Sequence, residues 1–161
     1  AWSQNLTAER AAECSATLVN KETLFMDSDI LSVHVRLSDR TRGLVGAKEI
    51  ASMKPSSYLV NISRGPIVDE TAMLKALRTN AIAGAGIDTF DEEPLPPNHP
   101  ILSLSNTVIT PHIGYVTEDS YRVRYSDVVE DILTYVGGQP SRVLNPEVLE
   151  SQQLRGVPKV G

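Results

Sequence analysis

One cysteine, Cys14, stands among 161 residues, which excludes an internal disulfide and fits a reducing, cytoplasmic setting. No apolar run approaches the roughly 20 residues that a membrane-crossing helix needs. Fifteen basic residues face twenty acidic ones, for a formal charge of -5, and the basic residues form no run, so neither a nucleic-acid surface nor a membrane surface is expected. The three histidines, His34, His99 and His112, lie in unrelated contexts with no cysteine partner, which argues against a metal centre. No Gly-x-Ser-x-Gly elbow occurs, so a serine hydrolase of that type is excluded. The dinucleotide fingerprint is missing too. Gly84-Ala85-Gly86 begins one, but Thr89 takes the third glycine position and an acidic, proline-rich loop follows where a helix N-terminus is required.

What is present has the composition of a globular protein, 41% hydrophobic and 22% charged. Short apolar runs alternate with helical patterns. Thr7 and Asn20 can cap helices running to about Cys14 and to Asp27, with an extended piece from Thr17 to Val19 between them. Strands are expected over 30–35, 58–62, 82–87 and 107–110, a short helix over 46–53, and a helix capped by Asp69 through about Arg78. A long helix is expected over 117–136, where Tyr121, Tyr125, Val128, Ile132 and Val136 recur at helical spacing and Gly137-Gly138 stops it. Strand–helix alternation with β-branched strands predicts an α/β, Rossmann-like, doubly wound parallel sheet. Residues 1–116 would form the sheet domain, and 117–161 a long helix and tail reaching toward another domain or subunit. The opening Ala1-Trp2-Ser3 reads as the end of a strand, so the sheet is expected to be truncated on that side.

Ligands of open parallel sheets collect beyond the carboxyl ends of the strands. Three strands here end in unusual chemistry. Arg64 follows the second in LVNISRGPIVDE, Asp88 and Glu93 follow the third in GIDTFDEEPLP, and His112 follows the fourth in ITPHIG. Each alone has an ordinary reading: a surface ion pair, a solvated acidic loop, a turn histidine. Together they supply an anion clamp, a carboxylate and a titratable imidazole, parts that suit reversible proton transfer on a substrate bearing a carboxylate.

LVNISRGPIVDE, AGAGIDTFDEEPLP and TPHIGYVTEDS, in this order, resemble the signature segments of the D-isomer-specific 2-hydroxyacid dehydrogenases, and the resemblance runs from about Ala1 to Pro146. It implies a Rossmann cofactor domain set within a flavodoxin-like substrate domain, with the glycine loop just before Ala1. It implies NAD or NADP as cofactor, a small 2-keto or 2-hydroxy acid as substrate, and a homodimer. By that resemblance Arg64 would hold the substrate carboxylate, His112 would be the general acid and base, and Glu93 would hydrogen-bond the other ring nitrogen. Ser3, His34, Val35, Arg36, Ile62, Ser63, Asp88, His112 and Gly114 would line the cofactor, with Asp88 by the nicotinamide carboxamide. Where many NAD-dependent members carry a ribose-binding acid, this chain has Ser3, and Arg10 is the nearest arginine, so NAD and NADP both stay open. The alternatives are a nucleotide-gated, corepressor-like member of the same family and an inactive fragment.

Overall fold

The computed structural model describes residues 1–150. Its contacts divide the chain into two compact units, Ala1–Gly114 and one beginning at Tyr115.

The first unit opens with two capped helices. Helix α1 (Ala8–Glu13) starts where the Thr7 hydroxyl accepts the Arg10 N–H, and α2 (Lys21–Asp27) where Asn20 Oδ1 accepts the Thr23 N–H. Between them the extended segment from Thr17 to Val19 joins no named strand; instead Val19 N–H donates to Ala1 O at 3.0 Å and the Ala1 amino group donates to Thr17 O at 2.6 Å.

Four parallel strands follow, β1 (Ile30–Val33), β2 (Tyr58–Asn61), β3 (Gly84–Ile87) and β4 (Thr107–Ile109), adjacent in the order of the chain. Helix α3 (Ala47–Ser52) connects β1 to β2, and α4 (Glu70–Arg78), capped by the Asp69 carboxylate, connects β2 to β3. Parallel crossovers between successive neighbours follow the right-handed rule, which sets their helices on one face, and α2 touches α3 while α3 touches α4. This is the Rossmann-like α/β arrangement expected, with the described strands winding in one direction.

Each strand is shorter than its apolar run. Pairing of β1 with β2 stops at Val33 and Asn61, because the chain after Asn61 turns away to form the Arg64 loop. At its start β3 loses Ile82 and Ala83, since the first pair with β2 is Tyr58 with Gly84.

The core lies between this sheet and its helices. Leu59, Ile67, Leu77, Ile82 and Ile101 are fully buried at its centre. Truncating one of them to alanine would cost about 2–5 kcal/mol. That packing holds the carboxyl ends of β2, β3 and β4 in fixed register.

The second unit is built on α5 (Glu118–Val136), whose N-terminus is capped by the Thr117 hydroxyl. None of its residues is buried, and Val123, Tyr125, Val128, Val129, Ile132 and Leu133 are all exposed. After Gly138 the chain doubles back, and Arg142 pairs with Asp127, Glu130 and Asp131 of the helix. No helix among the described residues is long and apolar enough to cross a membrane.

Candidate active site

The turn after β2 is organised by a side chain that the apolar run conceals. Asn61 is 1% exposed; its Oδ1 accepts the Ser63 N–H at 3.1 Å and its Nδ2 donates to Arg64 O at 2.9 Å. Ser63 Oγ then donates to Val35 O at 2.5 Å, tying this turn to the chain beyond β1. Arg64 itself is exposed, and one guanidinium nitrogen donates to Ser63 O at 2.6 Å. Among the described residues it forms no ion pair, so a planar fork of donors remains for an anion.

Asp88 ends β3 almost fully buried. Its Oδ1 accepts from the Thr110 hydroxyl at 2.5 Å and the Ile113 N–H at 2.9 Å, and its Oδ2 accepts from the Gly114 N–H at 2.8 Å. Burial pushes this carboxyl upward, but those three donors, helped by the nearby His112, outweigh it and hold it below the ordinary range. Asp88 therefore anchors the loop after β4.

That loop carries His112 at φ 57°, the left-handed region, which histidine tolerates better than bulkier or branched residues do. In this conformation Nδ1 lies 2.8 Å from Glu93 Oε2. The other carboxylate oxygen, Oε1, accepts the Phe90 N–H at 2.9 Å. Burial raises the Glu93 carboxyl, while the bonds from His112 and Phe90 and the charges of His112 and Arg64 lower it, with a net position below the usual carboxylate value. The pair borders a cavity of about 460 Å³ whose other walls are Phe90, Pro94, Leu95 and Pro111.

A second cavity, of about 420 Å³, brings Ser3, His34 and Val35 together with Trp2 and the exposed edge of β1. His34 is exposed, with Nε2 2.9 Å from Ser32 Oγ. Arg36 and Ile62 are exposed and line neither cavity. His99 stands apart, its Nε2 3.1 Å from Glu70 Oε1 and its ring in a T-shaped contact with Phe90. No group of three or more potential metal ligands occurs among the described residues.

The strand ends thus gather Arg64, Asp88, Glu93 and His112. What sequence reasoning missed is the connecting framework: Asn61, Thr110 and the Phe90 N–H. An asparagine inside an apolar strand was the one visible signal, since a buried amide must find partners.

The profile of the D-isomer specific 2-hydroxyacid dehydrogenase, NAD binding domain, matches residues 1–114. The chain belongs to this family. A glyoxylate reductase of Thermofilum pendens is 41% identical over 138 residues, covering 84% of this chain and 40% of that protein. A D-3-phosphoglycerate dehydrogenase of Synechocystis is 35% identical over 156 residues, covering 93% of this chain and 28% of that one. Among solved structures, the NAD complexed form of a D-isomer specific 2-hydroxyacid dehydrogenase from Lactobacillus delbrueckii ssp. bulgaricus superposes with a TM-score of 0.72 at 32% identity, covering 88% of this chain and 46% of that one. A family member from Xanthobacter autotrophicus Py2, in complex with NADPH and MES, gives 0.59 at 36% identity over 77% of this chain and 51% of that one. The chain spans less than half the length of the curated relatives it matches. Family membership makes Ala1–Gly114 an NAD(P)-binding domain of Rossmann type.

Proposed function

We propose that the protein carrying this domain is an NAD(P)-dependent oxidoreductase that interconverts a small 2-keto acid and its D-2-hydroxy acid. One observation carries the reading: the Glu93–His112 pair, with Nδ1 and Oε2 2.8 Å apart, shares a sheet edge with Arg64. The names of the relatives put glyoxylate and hydroxypyruvate first among substrates to try.

The donor set suits the cofactor. The cavity at Ser3 and His34 offers a hydroxyl and an imidazole beside the apolar Trp2 and Val35, a mixture suited to a ribose joined to a flat base. The nicotinamide, when bound, supplies or takes up the hydride. Every other task falls to the chain. Arg64 holds the substrate carboxylate in a two-pronged contact and draws electron density from the keto oxygen. His112 gives a proton from Nε2 to that oxygen as it becomes a hydroxyl, and takes it back in oxidation. Glu93, ionised through its lowered carboxyl, holds Nδ1–H and fixes the tautomer. Asp88 keeps the His112 loop in place.

The exposed apolar side chains of α5 further suggest a homodimer with an isologous interface. Sedimentation at micromolar concentration checks it, and a strict monomer rejects it. Activity is tested by nicotinamide absorbance with the intact protein and a panel of keto acids, glyoxylate and hydroxypyruvate included. Turnover with at least one is expected. Tight cofactor binding without turnover on any of them would overturn the reading.

A further inference from the structure

Arg64 and the Glu93–His112 pair stand on separate loops, and a two-point grip on one substrate works only if their separation is fixed. The seam between those loops is unusually close. A Cβ built on Gly65 would lie 2.1 Å from the Phe90 carbonyl carbon, 2.2 Å from its oxygen and 2.5 Å from the Asp91 nitrogen. All three are backbone atoms, so no side-chain rotation relieves the contact. Gly65 has no positive φ, so the absence of a side chain serves close approach and not backbone conformation. The gap bordered by Gly65, Phe90 and Asp91 holds only about 10 Å³, close to the least that admits one water, so neither strand end can retreat into it.

The two sides of this seam are the two halves of the site. Gly65 follows Arg64 directly, and the Arg64 carbonyl is held from below by Asn61. Phe90, on the opposite side, is the residue whose N–H holds Glu93 Oε1. We propose that Gly65 is a positioning residue whose backbone contact with Phe90 and Asp91 sets the distance between Arg64 and the Glu93–His112 pair. The inference rests on the function proposed above. A side chain at 65 would push Phe90 outward, loosen its bond to Glu93 and carry the imidazole away from the substrate oxygen.

Gly65→Ala in the intact protein tests this, with Gly84→Ala as the control. A Cβ on Gly84 would also strike backbone, 2.6 Å from Asn106 O, but at the opposite end of β3. Both substitutions should lower the melting temperature. Only Gly65→Ala should lower kcat per folded molecule, on the order of 10²-fold, as expected for a misplacement near 1 Å. Its cofactor Kd should hold, and the pH profile of kcat should move in the direction produced by Glu93→Gln. Equal kcat losses in the two variants, or an unchanged pH profile, would overturn the spacer role. If Gly65→Ala yields no folded protein, Pro66→Ala decides: it keeps the glycine, frees the turn that seats it and should lower kcat with cofactor Kd unchanged, whereas a wild-type kcat would overturn the proposal. Arg64→Lys and His112→Asn, run in the same assay, separate the two failures. Normal turnover in both rejects the proposed function and this inference with it; impaired turnover in both with a normal Gly65→Ala rejects the spacer role alone.

Discussion

Glu93 divides its carboxylate between two tasks: Oε2 meets His112 Nδ1 at 2.8 Å, and Oε1 takes the Phe90 N–H at 2.9 Å. The first bond orients the imidazole and the second orients the carboxylate. A side chain gripped at both oxygens cannot rotate away, so the ring nitrogen facing the substrate holds a defined direction. His112→Asn should therefore reduce turnover about 10²–10⁴-fold, the usual contribution of a general acid or base, with cofactor affinity nearly unchanged. Glu93→Gln should be milder, because the amide oxygen can still accept Nδ1–H while the charge opposite the ring is lost. Rates measured across pH for both variants check this, and an unaffected His112→Asn rate would refute the acid–base role.

Asp88 makes a separate prediction about stability. Its carboxyl is depressed below the ordinary 3.8, with burial opposing and the Thr110, Ile113 and Gly114 donors prevailing. A depressed carboxyl stabilises the fold above its unfolded value, and that contribution is lost as pH falls through the folded value. Asp88→Asn puts an NH₂ where one of those donors now points, and should cost about 1–3 kcal/mol near neutral pH. The gap in melting temperature between wild type and variant should then narrow below pH 3.8. A gap independent of pH would show that the Asp88 charge contributes nothing.

Arg64→Lys should raise the Michaelis constant for a keto acid and lower the maximal rate, since a point charge cannot reproduce a planar two-pronged contact. Activity toward an uncharged ketone should change much less. Equal losses on both substrates would make Arg64 structural.

Local chemistry made much of this legible in the sequence. Thr7, Asn20 and Asp69 cap helices because each presents a side-chain oxygen to an N–H three residues on, and these three caps form as expected, while Thr117, read as the first residue of its helix, caps that helix in the same way. The strands and their parallel order followed from apolar runs alternating with helical patterns. The strand limits did not, because pairing stops where a neighbour turns away, and that is decided across the sheet. The same holds at the site. Arg64, Glu93 and His112 carry visible chemistry, but Asn61 reads as part of an apolar run and Gly65 as half of a Gly-Pro turn. Asn61 works through its near neighbours Ser63 and Arg64, whereas Gly65 abuts Asp91, 26 positions away (91 less 65), and no local pattern encodes such a meeting. The Phe90 N–H lies further still from view, since any non-proline residue supplies that group.

Ser3 sets up the choice between cofactors. It lines the cavity shared by Trp2, His34 and Val35, and among the described residues no arginine borders that cavity. A carboxylate at this position would accept hydrogen bonds from ribose hydroxyls and repel a 2′-phosphate, whereas a serine hydroxyl accommodates either. The protein should thus tolerate NADP better than relatives with an acid there. Ser3→Asp should shift the ratio of kcat/KM values toward NAD, chiefly by weakening NADP binding. Ser3 is half-buried, so solvent and salt should screen part of the effect, and the shift should shrink as ionic strength rises past the range where the Debye length falls to about 8 Å. Comparison of both cofactors in wild type and variant, at low and at physiological salt, measures this. An unchanged ratio at low salt would mean that Ser3 does not face the ribose.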